Sequence, residues 1–452
     1  MHGTWWGIVL IAATVLPGCF SERSFPAVEA RLARLAPADV QAGGQRLGVR
    51  AWAPLAHARM EKLLPANSRP AVTSADLAGA PVDVYGRMKI NRATVDNLLC
   101  NLDGMQQTAQ ISSPPTDKAH PALPWDGWQS VEIPMADGAK LCGRFAPPTG
   151  TDLGGSFVVM THGLFGTMEG HDVHNQVAAL RHAGHHVLVV EMRGHGETLA
   201  KYPDEGITFG VCESTDLLTI ARWLKAEHAA TRVGLLSFSL TGCESLLAAW
   251  LDAGGREECN AAGSQLFVKL PTAREAAPAY NGGIFIVSPP VNMAETTTAF
   301  DQPYNLLSGT VKSVFQQKCS ERMAARGEAP SHHMSDFIAS EYRHAQLDRR
   351  FPDIKLYERD LRMLTDLDGE QWAVGRRRME ELRTPVLILA AGNDPLGTAQ
   401  SVADLATGVK NENFGVIILP QGGHMGFPVV SADYYYSLVL SFFDPAAGPV
   451  GK

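Results

Sequence analysis

Six short aliphatic runs constrain this chain more than any other feature. They are Ser156–Thr161 (SFVVMT), His186–Met192 (HVLVVEM), Val233–Ser237 (VGLLS), Gly283–Ser288 (GIFIVS), Pro385–Ala391 (PVLILAA) and Phe414–Leu419 (FGVIIL). They are too short for buried helices and too continuous for strands with one wet face. A strand reads this way when both of its faces are covered, as in a parallel sheet flanked by helices. Helical periodicity fills the intervals, notably over Asp216–His228, where Leu217, Ile220, Ala221 and Leu224 form one stripe with Ser214 or Thr215 as the N-cap. Trp128–Met135 and Ala139–Phe145, joined through Ala136-Asp137-Gly138, read as an opening hairpin. The expected class is α/β, a mostly parallel central sheet with helices on its faces.

Composition narrows the partners. The 452 residues carry 39 Lys+Arg against 47 Asp+Glu, a net charge of −8, with 45% hydrophobic and 19% charged residues. That balance excludes a disordered chain, and the absence of a basic stripe argues against a nucleic-acid partner. No repeat points to a solenoid.

The N-terminus reads as a targeting segment. Gly7–Leu16 (GIVLIAATVL) is half the ~20 residues a membrane-spanning helix needs, but it suits the apolar region of a secretory signal. Leu16-Pro17-Gly18-Cys19 follows at once and resembles the bacterial lipoprotein box. In such a box the Cys is lipidated and becomes the mature N-terminus, and Phe20 in place of Asp favours the outer membrane. The expectation is a protein anchored to the bacterial envelope through Cys19, with an ordinary secretory signal or a cytosolic start as alternatives. The remaining six cysteines, Cys100, Cys142, Cys212, Cys243, Cys259 and Cys319, permit up to three bridges of unreadable pairing. Cys243 is expected to be an inert thiol on a buried helix.

Division of the chain follows its texture. A signal (1–18) precedes an Ala- and Pro-rich extension (19–125) with one amphipathic stretch near Val95–Leu102. The α/β core is read at 126–290 and 381–446. Between these halves, 291–380 is polar, helical and without a strong strand, and reads as a cap or lid.

Three residues at strand ends carry the chemistry. Ser239 lies between the VGLLS strand and a helix running to about Trp250. Asp394 follows the PVLILAA strand, and His424 sits among glycines in Gln421-Gly422-Gly423-His424-Met425-Gly426 after the last strand. Each is unremarkable alone. The C-terminal ends of parallel strands share one edge, however, so the three can converge. A Ser hydroxyl needs a base to take its proton, and the base needs a carboxylate to orient it. The histidines at 171, 174, 182, 185 and 186 lack an acidic or thiolate partner at ligand spacing, so no metal is expected.

With HGLFG (His162–Gly166), RGHGE (Arg193–Glu197), SFSLTG (Ser237–Gly242), NDPL (Asn393–Leu396) and GGHMGF (Gly422–Phe427) in this order, the chain resembles the α/β-hydrolase superfamily. It is most similar to the serine-hydrolase branch of bacterial esterases and mammalian membrane-associated abhydrolase-domain lipases. The resemblance implies an α/β-hydrolase fold, a nucleophile elbow at Ser239, and a Ser239–His424–Asp394 triad. It also implies an oxyanion hole from the backbone N–H groups of Leu164 and Leu240, and carboxylic-ester hydrolysis through an acyl-enzyme with no cofactor or metal. His162 is then a brace for its loop, and Arg193–Glu197 a structural turn at the pocket edge. Two departures stand out. Ser237 and Thr241 occupy positions two before and two after the nucleophile where the family usually has Gly, and Asn393 leaves Asp394 as the sole carboxylate in its turn. Thioesterase or acyl-transfer chemistry on the same triad, or a catalytically silent scaffold of this fold, are the alternatives.

Overall fold

The computed structural model describes residues 46–78, 104, 106–108, 127–255, 276–301, 309–346 and 377–451. Cys19, the signal segment and the stretch near Val95–Leu102 lie outside the described residues.

Each aliphatic run forms a strand. With the opening hairpin and one edge strand, the strands in chain order are β1 (Val72–Thr73), β2 (Gln129–Pro134), β3 (Lys140–Ala146), β4 (Ser156–Met160), β5 (His186–Glu191), β6 (Arg232–Phe238), β7 (Gly283–Val287), β8 (Val386–Ala391) and β9 (Phe414–Leu419). They make one sheet in the order β1-β9-β8-β7-β6-β4-β5-β3-β2. From β5 to β9 neighbouring strands are parallel, and β1, β2 and β3 add antiparallel edges.

The unbroken hydrophobicity of these runs divides cleanly by parity. Phe157 and Val159, Leu235, Ile284 and Ile286, Val386 and Ile388, and Val416 and Ile418 enter one core. Val158 and Met160, Leu236, Phe285 and Val287, Leu387 and Leu389, and Ile417 and Leu419 enter the other. A pleated strand sends alternate side chains to opposite faces, so two cores require an apolar residue at every position. The first core is closed by α5 (Glu213–Glu227), α6 (Leu240–Trp250) and α10 (Ala399–Ala406). The second is closed by α1 (Val49–Met60), α3 (His171–His182) and α11 (Phe427–Phe443). Other helices among the described residues include α2 (Ser74–Leu77), α4 (Gly196–Lys201), α7 (Met293–Asp301), α8 (Gly309–Ala325) and α9 (Met334–His344).

Two features depart from the reading of the sequence. The extension is not wholly separate from the core: Val72 and Thr73 pair with Ile418 and Ile417 to form an edge strand. Trp52 of α1 is buried and donates its indole N–H to the carbonyl of Ala447 at 2.9 Å. Helix α5 also begins earlier than its expected cap. The buried Glu213 carboxylate accepts the N–H groups of Thr208 at 2.6 Å and Gly210 at 2.9 Å, tying the preceding loop to the first turn.

Among the described cysteines, Cys142, Cys212, Cys243 and Cys319 are free thiols, while Cys100 and Cys259 lie outside the described residues. Burial pushes the Cys212 thiol up to about 12, in line with an inert core thiol. Cys243 is raised as well, but it is only half-buried on α6 and lines a pocket, so it is not the core thiol expected from the sequence. Among the described residues no helix is long and apolar enough to cross a membrane.

Candidate active site

The carboxyl ends of β4, β5, β6, β8 and β9 lie along one edge of the sheet, and the candidate triad residues follow β6, β8 and β9 there. Ser239 follows β6 and caps α6 with φ 51° and ψ −120°, a left-handed backbone that is strained for any residue with a Cβ. Its N–H is fixed to the carbonyl of Val287 at 2.9 Å. The turn thus lifts the side chain out of both the strand and the helix.

His424 and Asp394 meet it. The imidazole Nε2 is 2.7 Å from Ser239 Oγ. Its Nδ1 is 2.9 Å from Asp394 Oδ2 and 3.1 Å from Oδ1. A carboxylate only accepts, so Nδ1 carries the proton and Nε2 is left to accept the serine hydroxyl. Asp394 Oδ1 also accepts the N–H groups of Leu396 at 2.8 Å and Gly397 at 3.0 Å, which fixes the carboxylate in its own turn. His424 is 2% exposed, so solvent does not compete for this chain of contacts.

The loop after β4 lies against the nucleophile. A Cβ added to Gly163 would stand 2.9 Å from Ser239 Cβ, which is why glycine is required there. Leu164 follows directly, and Leu240 begins α6 just past Ser239. His162 braces this loop: its Nδ1 donates to the carbonyl of Gly163 at 2.9 Å and its Nε2 accepts the N–H of Met192 at 3.2 Å. His195 acts similarly, accepting the N–H of Phe165 at 3.1 Å and donating to the carbonyl of Arg193 at 2.7 Å. Burial lowers the pKa of both imidazoles and keeps them neutral. Arg193 sits beneath the site, bonded to Asp216 at 2.5 and 2.7 Å, to Glu205 at 2.6 Å and to Asp137 at 2.9 Å. Burial works against its charge, but Asp216 outweighs that and holds the guanidinium firmly protonated.

The elbow departures have distinct consequences. The Thr241 hydroxyl accepts from Thr161 Oγ1 at 2.9 Å and lies 2.9 Å from the carbonyls of both His162 and Phe238. It therefore ties the elbow to the loop carrying Leu164, a link that glycine cannot make. The close approach of helix to strand falls instead at Gly242, where a Cβ would meet Ile286 Cγ2 at 2.6 Å. Ser237 Oγ is buried without a hydrogen-bond partner among the described residues.

Two positioning residues, Thr108 and Gln107, escaped the sequence reading, and a third, Asn393, was read only as a departure. The hydroxyl of Thr108 accepts the backbone N–H of His424 at 2.7 Å. Gln107 Oε1 accepts the N–H of Gly422 at 3.0 Å and the Asn393 amide at 3.1 Å. Asn393 Oδ1 in turn accepts the N–H groups of Gly422 at 3.0 Å and Gly423 at 2.8 Å. The residue that looked like a lost carboxylate joins the acid turn to the histidine loop. Among the described residues, no group of three or more His, Cys, Asp or Glu is arranged to hold a metal ion.

Fold and site edge together define a hydrolase of the α/β class. The match of residues 158–436 to the alpha/beta hydrolase family makes the assignment direct, and the chain belongs to that family. No curated protein matches the sequence. Among solved structures, it is similar to an esterase of Pyrococcus furiosus at 16% identity, covering 74% of this chain and 96% of that one, with a TM-score of 0.43. A Mycobacterium tuberculosis puromycin-hydrolyzing peptidase is 14% identical, over 71% of this chain and 40% of that one, with a TM-score of 0.45. The Est1E protein of Butyrivibrio proteoclasticus is 14% identical over 69% of this chain and 98% of that one, with a TM-score of 0.39.

Proposed function

We propose that the protein is a serine hydrolase that cleaves carboxylic esters through an acyl-enzyme, held at the bacterial envelope by a lipid on Cys19. The observation that carries the reading is the contact chain Asp394–His424–Ser239, ending on a serine in a strained turn. In the first half-reaction Ser239 Oγ attacks the carbonyl carbon while its proton passes to His424 Nε2. The N–H groups of Leu164 and Leu240 hold the resulting oxyanion, and each such donor contributes roughly 3 kcal/mol. The intermediate collapses, and the leaving alkoxide takes the proton back from His424. Water then repeats the sequence on the acyl-enzyme, with Asp394 stabilising the imidazolium each time. The helices α7–α9 belong to the proposed cap: Phe300, Met323, Met334 and Phe337 cluster with Leu240 beside the nucleophile.

A silent scaffold would draw support from Ser237 and Thr241. The hydrogen bonds of Thr241 argue instead for an elbow with its own way of being held.

The test is hydrolysis of p-nitrophenyl esters from acetate to laurate by wild type and Ser239→Ala. Turnover that is abolished by the substitution is expected. Absence of turnover by the folded wild type across the series contradicts the reading. Palmitate labelling that is lost in Cys19→Ser tests the anchor separately.

A further inference from the structure

A pocket runs along α6 beside the candidate site. Leu240, Glu244 and Leu247 supply one wall, and Phe209, Met293 and Trp250 contribute to the rest. Leu240 and Glu244 stand one turn apart on the same helix face, so the pocket leads from the residue next to the nucleophile toward Trp250. The lining is apolar apart from two residues. Arg378 lies with its guanidinium carbon 4.3 Å from the Trp250 ring centre. Glu244 is the other, 2% exposed, with Oε2 buried and without a hydrogen-bond partner among the described residues.

A carboxyl in this position is anomalous. A buried polar group without a partner costs about 1–3 kcal/mol, which an apolar residue of the same shape would avoid. Burial raises the Glu244 pKa well above the ordinary range, and the nearby Glu213 and Asp216 raise it further. It therefore stands in the wall as a neutral acid, able to donate one hydrogen bond and accept another.

We propose that this pocket receives the acyl chain of the substrate, and that Glu244 selects chains bearing a hydroxyl or oxo oxygen partway along their length. Glu244 lies five positions on from Ser239, a rise of about 7.5 Å along the helix, the reach of about six carbons from the scissile carbonyl. A plain alkyl chain fills the pocket but leaves the Glu244 carboxyl unpartnered. An oxygenated chain satisfies it, and a site that hydrogen-bonds a substrate oxygen rejects the analogue that lacks it. The inference rests on the hydrolase reading for the identity of the chain that enters.

The experiment compares p-nitrophenyl octanoate with its analogue carrying one hydroxyl about six carbons from the carbonyl. Wild type is expected to favour the hydroxylated ester in kcat/KM by about tenfold. In Glu244→Leu the ratio falls to near one and the plain ester improves, while Glu244→Gln keeps the preference because its amide still donates. Equal ratios in wild type and Glu244→Leu overturn the proposal while leaving hydrolysis standing. A second arm does not need turnover: calorimetric binding of the two free acids to Ser239→Ala protein, with and without Glu244→Leu. A Glu244-dependent preference there, in a protein whose wild type hydrolyses nothing, supports the pocket and removes the hydrolase reading. Equal binding of both acids overturns the pocket.

Discussion

The hydroxyl of Thr108 accepts the backbone N–H of His424 at 2.7 Å, across 316 residues of sequence. The proposed general base is therefore positioned by the extension as well as by the sheet. Thr108 donates in turn to the carbonyl of Gly104 at 2.7 Å, which orients its lone pairs toward the histidine loop. Gly423, beside His424, has φ 53°, and a Cβ there would meet Gly104 O at 2.4 Å, so the two segments are fitted without a gap.

Loss of that hydroxyl strands a buried N–H beside the base. Thr108→Val is expected to lower kcat about tenfold with little change in KM, from a cost of about 1–2 kcal/mol. Thr108→Ser keeps the acceptor and retains near-native kcat. Steady-state kinetics of the two variants makes the check, and equal losses in both would assign Thr108 to packing alone.

The two elbow departures predict effects on different quantities. Thr241→Val removes the links to Thr161 and His162 and loosens the loop carrying Leu164, so kcat/KM is expected to fall about tenfold. Ser237→Ala removes a buried hydroxyl without a partner, and is expected to leave kcat unchanged and raise stability by about 1 kcal/mol. Kinetics and denaturant midpoints separate them. A stability loss in Ser237→Ala would show that its hydroxyl has a partner.

Acid should weaken the fold before it reaches the carboxylates. Burial holds His185 down to about 3, with Arg232 and His186 adding repulsion. Burial also lowers His162 and His195. Above pH ~6.5 these groups are neutral in both folded and unfolded chains and contribute no pH dependence. Below it the unfolded chain takes up protons that the folded chain refuses, so stability falls as pH drops from about 6.5 toward 3. For His185 the slope is about 1.4 kcal/mol per pH unit. His185→Gln is expected to flatten the loss by that amount, measured as unfolding free energy at several pH values. An unchanged slope would mean that His185 is protonated in the folded state.

Much of the architecture was legible because it depends on local signals. Aliphatic runs such as FGVIIL coincide with strand β9, since the two-sided burial that defines a parallel strand leaves no alternation to blur its ends. The places of Ser239, Asp394 and His424 follow from the shared edge of parallel strands. What stayed hidden depends on contacts between distant segments. Nothing local in Gln107-Thr108 signals that these residues hold the histidine loop, and the pairing of Val72 with Ile418 joins residues too far apart for any periodicity to register. Asn393 was visible as a departure, but its meaning required the three-dimensional position of Gln107. Thr241 likewise read as a defect until its hydroxyl found the carbonyl of His162.

The central claim is that Ser239 is a nucleophile activated by His424. Incubation with a fluorophosphonate followed by intact-mass analysis tests it most directly. The account predicts one adduct per chain, located by peptide mapping on Ser239, absent in Ser239→Ala and slowed by orders of magnitude in His424→Ala. An adduct that persists in Ser239→Ala, or folded wild-type protein that never labels, would contradict it.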